Sequence, residues 1–258
     1  MNEQDLVLLR EDGAVTTLTL NRPQQLNPID MAMATALLRA LEKVQANSAT
    51  RLVVLRGAGK AFCGGGDVAG MYAQRDDLPG LIEPLIGTFH AAILAMKRLP
   101  MPVLACVHGA AAGGGFSLAM ACDLVLASRS ARFVVAYPKL GAPADGGLSF
   151  HLTRRLGPIR ALESLALGGS YDAPQALAEG LINRVVDDAA LDEELANWVK
   201  TILAVAPQSL TELKGLVREQ SLAALEAHLA LEKAAFLRCA TTADFVQRVT
   251  AFALKSKA

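Results

Sequence analysis

The sequence predicts an α/β core that is followed by a helical C-terminal part. Three short apolar runs, at 52–56, 103–107 and 124–127, are continuous enough to be strands buried on both faces. Segments with apolar residues at helical spacing alternate with these runs, which is typical of βαβ units and a mostly parallel sheet. After about Gly147 the helical pattern dominates, and only 182–186 resembles a strand.

The expected elements begin with a hairpin, because Asp12-Gly13 separates two β-prone runs at 5–10 and 14–20. A helix follows from Met31 to Val44, where apolar residues recur every three or four positions and Asp30 can cap the first turn. Two further helices, at 81–96 and 116–121, and a short strand at 133–135 complete the core. The later helical segments are 159–167, 174–179, 191–205, 209–219, 222–237 and 243–254.

The composition excludes several classes of protein. The 258 residues include 25 Lys plus Arg and 25 Asp plus Glu, so the net charge of zero gives no electrostatic attraction to nucleic acid or to an acidic membrane. A hydrophobic share of 52% against 19% charged residues argues against disorder. The four cysteines are widely spaced without a CxxC pair, which excludes a zinc ribbon and fits a reducing compartment such as the cytoplasm. The mixed, charged N-terminus does not resemble a signal peptide.

Residues 99–122 contain no Asp, Glu, Lys or Arg, and this length of uncharged chain raises the question of a membrane span. Pro100 and Pro102 interrupt its start, and Gly109 and the glycines at 113–115 divide the remainder. The stretch is therefore predicted to form a strand, a turn and the start of a helix inside the core, and no membrane partner is expected.

Two glycine-rich loops, at 61–67 and 108–115, each follow a buried strand. Consecutive glycines let the backbone approach a ligand and turn its N–H groups towards it, so two such loops can form an oxyanion hole. Other interpretations are weaker. A dinucleotide fingerprint at 64–69 lies too far from its strand, and a phosphate loop around Lys60 lacks its Ser/Thr. A serine hydrolase with Ser117 in a nucleophile elbow is also less favoured, because Ala119 replaces a glycine.

Three segments, in order and at the right spacing, resemble the signatures of the crotonase superfamily, the enoyl-CoA hydratase/isomerase family. They are 21–27 (NRPQQLN), 61–68 (AFCGGGDV) and 108–123 (HGAAAGGGFSLAMACD). The resemblance implies a crotonase-like spiral of ββα units, with a catalytic core over 1–195 and a helical trimerisation region over 196–258. It also implies a homotrimer or a dimer of trimers that acts on an acyl-CoA thioester. No metal or redox cofactor is expected, since coenzyme A enters as part of the substrate.

The resemblance also implies roles for particular residues. By position, the backbone N–H groups of Gly66 and Gly114 hold the thioester carbonyl oxygen and stabilise an enolate. Phe252 and Lys255 match C-terminal positions that reach CoA from a neighbouring subunit, whereas on sequence alone Lys255 would be a solvated tail charge. The positions that match those lining the adenine and pantetheine of CoA are Gln24, Gln25, Leu26, Gly64, Asp67 and Val68. The alternative role for Asp67 is to start a helix.

The sequence departs from the hydratase pattern at two positions. The hydratases use two Glu, which fall at Ser117 and near Lys139 in this chain. Asp145, just before a glycine pair, instead matches the acid of several enoyl-CoA isomerases and of the ring-isomerising enzymes of phenylacetate breakdown. One base is enough to take a proton from C2 and return it to C4. Asp145 is therefore the expected acid/base, with a cap on the following helix as the structural alternative. Tyr137 is expected to line the acyl pocket.

His90 leaves a further interpretation open. It matches the catalytic His of the 4-chlorobenzoyl-CoA dehalogenases, which have an Asp at the place of Asp145 but a Trp at the place of Tyr137. His90 can instead assist Asp145, or be an ordinary core residue. Double-bond isomerisation is the reaction expected first. The alternatives are hydration with non-standard acids, dehalogenation or thioester hydrolysis through Asp145 and His90, and CoA binding without catalysis.

Overall fold

The computed structural model describes residues 6–255 and contains two β-sheets with helices packed around them. The strands are β1 (Val7–Asp12), β2 (Val15–Leu20), β3 (Leu52–Gly57), β4 (Val103–Val107), β5 (Ala110–Ala112), β6 (Leu124–Ser128), β7 (Arg132–Val134), β8 (Ser170–Asp172) and β9 (Arg184–Val186). The helices are α1 (Met31–Ala46), α2 (Val68–Ala73), α3 (Leu78–Arg98), α4 (Gly114–Ala121), α5 (Leu148–Leu156), α6 (Pro158–Leu167), α7 (Ala173–Ala178), α8 (Leu191–Ala204), α9 (Pro207–Glu219), α10 (Leu222–Ala240) and α11 (Ala243–Lys255).

The larger sheet has the strand order β1-β2-β3-β4-β6-β9. β1 and β2 form the antiparallel hairpin that Asp12-Gly13 predicts, with Asp12 opposite Val15. The other neighbouring strands of this sheet pair in parallel. β5, β7 and β8 form the second, smaller sheet. The mixed α/β fold expected from the alternating pattern is therefore confirmed.

The central strands are buried on both faces, as their continuous apolar sequences predict. Val53 on β3 and Val103 on β4 belong to the main core, whereas their neighbours Val54 and Leu104 belong to a second cluster that α8 covers. This division follows from the alternation of side chains along a strand. Helices cover both faces of the sheet. The two glycine loops follow the carboxyl ends of β3 and β4.

Two helices that carry or adjoin site residues differ in how well the sequence predicts their starts. α1 begins as predicted, and Asp30 Oδ1 accepts a hydrogen bond from Met33 N at 2.8 Å. α3 begins before the expected residue 81, because Asp77 caps it by accepting from Gly80 N at 3.0 Å. Pro84 consequently lies in the second turn of the helix rather than near its start.

One helical stretch, Arg75–Arg98, is long and apolar enough to cross a membrane by length and composition, a test that buried core helices also pass. It includes α3, which packs against α1 and α10 and buries Phe89, Ile93 and several other side chains. The uncharged stretch at 99–122 is divided into β4, β5 and α4, as predicted.

The sequence pattern does not predict three short elements, β5, β8 and α2. They have three, three and six residues, which is too short for a periodic pattern. The strand expected at 182–186 is confined to β9, and the first strand is shifted to β1. Part of the expected 5–10 strand lies outside the described residues.

The C-terminal helices lie against the core of the same chain, α10 on α3 and α11 on α2. The expected boundary between 195 and 196 falls inside α8, which begins at Leu191 and covers the second core cluster. The division into a catalytic core and a trimerisation region stays a prediction.

Candidate active site

Backbone hydrogen bonds hold the two glycine loops against each other. Cys63 N donates to Ala110 O at 3.0 Å, and Ala112 N donates to Cys63 O at 3.0 Å, so the first loop forms a parallel bridge with β5. Gly65 has a φ of +103°, and a Cβ atom at this position would lie 2.7 Å from Ala112 O. Only glycine permits both this conformation and this close approach.

Gly66 and Gly114 are neighbours where the two loops meet. A Cβ atom built on Gly114 would lie 4.0 Å from Gly66 N. Gly114 is the first residue of α4, where an N–H group has no partner within the helix. Among residues 6–255, Gly66 N donates to no backbone carbonyl. Two unpaired donors this close together are what an oxyanion hole requires.

A buried amide, to which the sequence analysis assigns no role, joins the first motif to the second. Asn27 is 0% exposed and has a φ of +53°, a conformation that Asn tolerates better than most residues. Its Nδ2 donates to Ala58 O and Ala61 O at 2.9 Å each, and its Oδ1 accepts from Arg22 N at 2.8 Å. In the sequence, the signal for this joining role of Asn27 is a polar residue in a turn between two motifs.

The CoA-binding residues predicted from the first two motifs lie next to each other. The turn Pro23–Gln25 leads into Leu26, whose carbonyl oxygen accepts from Gly64 N at 2.7 Å. The Leu26 side chain is 43% exposed, which leaves apolar surface for a ligand. Asp67 caps α2 by accepting from Gly70 N at 3.0 Å, so it does start a helix. The roles of these residues in CoA binding stay predictions.

The C-terminal pair predicted to reach CoA, Phe252 and Lys255, lies on α11, which packs against α2 of the same chain. Phe252 is 42% exposed, and Lys255 is exposed as well. Both side chains are therefore at the surface, and their contact with the CoA of a neighbouring subunit stays a prediction.

Two hydroxyl groups tie the loop that carries Asp145 to α4. Ser117 Oγ donates to Asp145 O at 2.6 Å, and Tyr137 OH donates to the same oxygen at 2.9 Å. Burial raises the pKa of Tyr137 well above its usual value, so the phenol stays protonated and remains a donor. The Tyr137 ring packs edge-on against Phe236. In this structure the Tyr137 hydroxyl therefore supports the loop.

The same contacts bring the Asp145 loop close to Gly114 and the predicted oxyanion hole. Ser117 follows Gly114 by one turn of α4. Cβ atoms built on Gly114 and Gly146 would lie 3.9 and 2.6 Å from the same atom, Cε1 of Phe89. The edge of one aromatic ring thus borders both the oxyanion hole and the loop that carries Asp145.

The side chain of Asp145 pairs with His90. His90 Nε2 and Asp145 Oδ1 are 2.7 Å apart, and the two residues are 7% and 5% exposed. The first helical turn of α5 follows Gly147, which caps the helix without a side-chain hydrogen bond. A role for Asp145 limited to capping this helix is therefore not what the structure shows.

The N-terminus of α5 is instead satisfied by Glu232, which the sequence analysis does not single out. This carboxylate on α10 accepts from Gly147 N at 2.6 Å and from Ser149 N at 3.1 Å. Glu232 is 5% exposed and lies on the apolar face of α10, between Leu229 and Phe236. An acid at a core position of an amphipathic helix is the signal that could have found it.

Glu232, Asp145 and His90 form a buried cluster of titratable groups. Their ligand atoms all lie within 4.8 Å of one another. Burial raises the pKa of Glu232 to about 7, against the hydrogen bond from Ser149, which lowers it. The spacing would permit a metal ion, but His90 and Asp145 bond each other directly and Glu232 is occupied by backbone N–H groups. Hydrogen bonds within the protein therefore already engage all three groups.

A cavity of about 1150 Å³ lies elsewhere, between α8 and the strands β1, β2 and β3. His108, at the start of the second glycine loop, lines it, and its Nε2 is 2.9 Å from Gly59 O. The lining does not include Gly66, Gly114 or Asp145. Cavity size alone consequently does not identify the site.

Known proteins are similar to this chain over nearly its whole length. The sequence model of the family described as "Enoyl-CoA hydratase/isomerase" matches residues 10–258. The chain is 32% identical to the 1,2-epoxyphenylacetyl-CoA isomerase of Escherichia coli over 252 residues, which cover 97% of this chain and 96% of that protein. It is 30% identical to the short-chain-enoyl-CoA hydratase of Clostridium acetobutylicum, covering 99% of this chain and 97% of that protein.

Among solved structures, an enoyl-CoA hydratase from Mycobacterium avium subsp. paratuberculosis superposes with a TM-score of 0.87 at 28% identity. The superposition covers 95% of this chain and 98% of that chain. The family match and the fold define an enzyme of crotonase type. The chain belongs to the enoyl-CoA hydratase/isomerase family, and it is an acyl-CoA-processing enzyme.

Proposed function

We propose that this enzyme shifts the double bond of an enoyl-CoA, with Asp145 as the acid/base and Gly66 and Gly114 as the oxyanion donors. The supporting observation is the state of the two positions at which the hydratases have Glu. Ser117 is buried and its hydroxyl is engaged with Gly113 O, Tyr137 and Asp145 O, while the side chain of Lys139 is exposed. Asp145 offers a carboxylate on the loop that Ser117 Oγ joins to the helix of Gly114.

The proposed reaction needs one base and one oxyanion hole. The Asp145 carboxylate takes a proton from C2, and the electron pair of that C–H bond moves into the thioester to give an enolate. The enolate oxygen accepts hydrogen bonds from the N–H groups of Gly66 and Gly114, each worth about 10²–10³ in rate in well-studied cases. Asp145 then returns the proton to C4, and the double bond moves from C3 to C2.

Hydration is the second candidate, and the proximity of Glu232 to Asp145 favours it over dehalogenation. A second carboxyl with a pKa of about 7 could serve as the further acid that hydration requires. Against this candidate, Glu232 already accepts from Gly147 N and Ser149 N. Dehalogenation would require His90 to activate water, whereas His90 Nε2 is hydrogen-bonded to Asp145.

The test compares the wild type with Asp145→Asn on a series of 3-enoyl-CoA substrates of different chain length. Isomerisation should fall about 10²–10⁴-fold, because a general base typically contributes that much. Acyl-CoA binding, measured by calorimetry, should be retained. Asp192→Asn, whose side chain is 77% exposed, is the matched control and should behave as wild type.

Two outcomes would overturn the proposal. One is a wild type that isomerises no substrate of the series, and the other is an Asp145→Asn protein as active as wild type. Formation of 3-hydroxyacyl-CoA from 2-enoyl-CoA, lost in Asp145→Asn, would favour the hydratase instead.

We also propose a homotrimer or dimer of trimers in the cytoplasm that uses no metal or redox cofactor. α6 exposes Ile159 at 83%, Leu162 at 67% and Leu167 at 79%, an apolar surface of the kind that subunit contacts bury. The four cysteines are free, which fits a reducing compartment. Light scattering tests the assembly, since a monomer would contradict it, and elemental analysis of the active enzyme tests the absence of a metal.

A further inference from the structure

A chain of polar groups leads from Asp145 to the outer side of α10. Glu232 lies with Asp145 and His90 in one cluster, whose ligand atoms are within 4.8 Å of one another. Ser149 Oγ donates to Glu232 Oε1. Ser149 Oγ also lies 2.7 Å from His228 Nε2. The groups therefore follow one another in the order Asp145, Glu232, Ser149, His228.

Exposure to solvent increases along this chain. The side chains of Asp145 and Glu232 are 8% and 4% exposed, whereas that of His228 is 35% exposed. One end is thus buried beside the oxyanion hole, and the other end reaches water. A proton on Asp145 that exchanges with solvent before it is returned to the substrate needs such a path, because a charge cannot cross the apolar core unaided.

Each group in the chain is able to pass a proton. The Ser149 hydroxyl has one donor and two acceptor sites, so it can receive a proton from one neighbour while giving its own to the other. His228 has two ring nitrogens and can take a proton at Nε2 while it releases one from Nδ1. The step from Asp145 to Glu232 is within the span of a single bridging water, which bonds each partner at about 2.8 Å.

Glu232 is suited to the middle of the chain. Besides the backbone N–H groups of α5, its carboxyl faces Asp145 and His90 from the core and His228, one turn earlier on its own helix. Burial and the charge of Asp145 together raise its pKa to about 7, so both of its protonation states are populated near neutral pH. A group with this property can accept and return a proton without a large energetic cost.

We infer that Glu232, Ser149 and His228 form a proton relay that connects Asp145 with solvent during the proposed isomerisation. Protonated Asp145 gives its proton through the bridging water to Glu232. Glu232 gives a proton to Ser149 Oγ as Ser149 gives its own to His228 Nε2, and His228 releases its Nδ1 proton to solvent. A solvent proton returns by the reverse route, so charge and atoms balance. The inference rests on the proposed function, because it concerns the proton that Asp145 takes from C2.

The test is isomerisation of a 3-enoyl-CoA in D₂O, with deuterium at C4 of the product measured by mass spectrometry early in the reaction. The readout is deuterium incorporated per product molecule, so a lower overall turnover rate does not by itself change it. The wild-type product should carry solvent deuterium. Ser149→Ala and His228→Leu, which interrupt the relay at two points, should each lower deuterium per turnover about fivefold or more. Ser128→Ala removes a buried hydroxyl on β6, away from the relay, and should match the wild type.

The inference is overturned if both relay variants keep the wild-type deuterium content, or if the wild type incorporates none. If no 3-enoyl-CoA is isomerised, the proposed function fails, and infrared spectroscopy then judges the relay alone. A protonated-carboxyl band that titrates near pH 7, is absent in Glu232→Gln and shifts in Ser149→Ala but not in Ser128→Ala would support it. A wild type without this band would overturn it.

Discussion

The predicted oxyanion hole and the carboxylate cluster are built from different parts of the chain. The predicted hole consists of backbone N–H groups, which any residue but proline possesses. Its signal in the sequence is therefore the glycines that allow the two loops to meet. The cluster consists of side chains on α3, on the loop before α5 and on α10. His90 and Asp145 alone are 55 positions apart in the chain. A backbone site can thus be recognised locally, whereas a site made of side chains depends on how distant elements pack.

After Asp145→Asn, the largest expected effect on turnover comes from Gly114→Ala, which tests the backbone region. The new methyl would lie 4.0 Å from Gly66 N, where the proposed mechanism places the enolate oxygen, while its closest neighbour is the movable end of Ile29 at 3.1 Å. Turnover should fall about 10²–10³-fold without loss of stability. Kinetics and thermal unfolding measure the two effects. Gly115→Ala is the contrast, because its Cβ would lie 2.2 Å from Cys63 O and should prevent folding.

A parallel loss of stability in Gly114→Ala would mean that the methyl disturbs packing. Gly114→Ala would then not test the backbone donors separately from the fold.

The second effect tests the cluster through pH. Burial raises the pKa of Glu232 from 4.5 to about 7, so the native state holds this proton more tightly than the unfolded state. Its contribution to stability is therefore fully present below about pH 4.5 and is lost as the pH rises through 7. Between pH 5 and 8 the wild type should lose about 2–3 kcal/mol of unfolding free energy relative to Glu232→Gln.

Denaturant unfolding of both proteins at several pH values measures this difference. Glu226→Gln is the control, because Glu226 lies on the same helix with its side chain 54% exposed. The same pH dependence in wild type and Glu232→Gln would argue that Glu232 keeps an ordinary pKa.

A smaller effect separates positioning from direct chemistry at His90. His90→Leu removes the hydrogen-bond partner of Asp145 Oδ1 and should lower isomerisation about tenfold, the worth of one hydrogen bond to a charged group. His90→Gln can place an N–H group near the position of Nε2 and should recover most of the activity. If both variants were equally inactive, His90 would act directly on substrate or water.

The smallest effect is expected far from both regions. Gly215 lies within α9, and a Cβ atom there would meet nothing within 4 Å. Gly215→Ala should raise the free energy of unfolding by about 0.5–1 kcal/mol, because alanine restricts the unfolded chain. Turnover should not change. A loss of activity would indicate that α9 influences the site.

The helices and strands could be predicted where their patterns are long. The continuous apolar runs of β3 and β4 and the periodic face of α1 are sufficient to predict a parallel sheet with helices. β5 and α2 could not be found this way, since a few residues show no period. The start of α3 depends on a cap from Asp77, which competes with the breaking effect of Pro84.

The residues of the candidate site also differ in how well the sequence predicts them. Gly66, Gly114 and Asp145 stand out in the sequence because their motifs are local and resemble those of a known family. Glu232 does not, because its helix is consistent with ordinary packing and no nearby residue marks the acid. Only the packing of α10 on α3 brings its carboxylate to Gly147 and Ser149.

The sequence by itself determines that this chain is an α/β enzyme with two glycine loops and an acid before a glycine pair. These properties follow from local conformation, which neighbouring residues control. Only the tertiary structure decides that Asp145 pairs with His90 and that Glu232 caps α5. It also decides that Ser149 links Glu232 to His228, whose side chain is 35% exposed. Such contacts join side chains that are distant in sequence, and their distances are set by the packing of whole elements rather than by any local pattern.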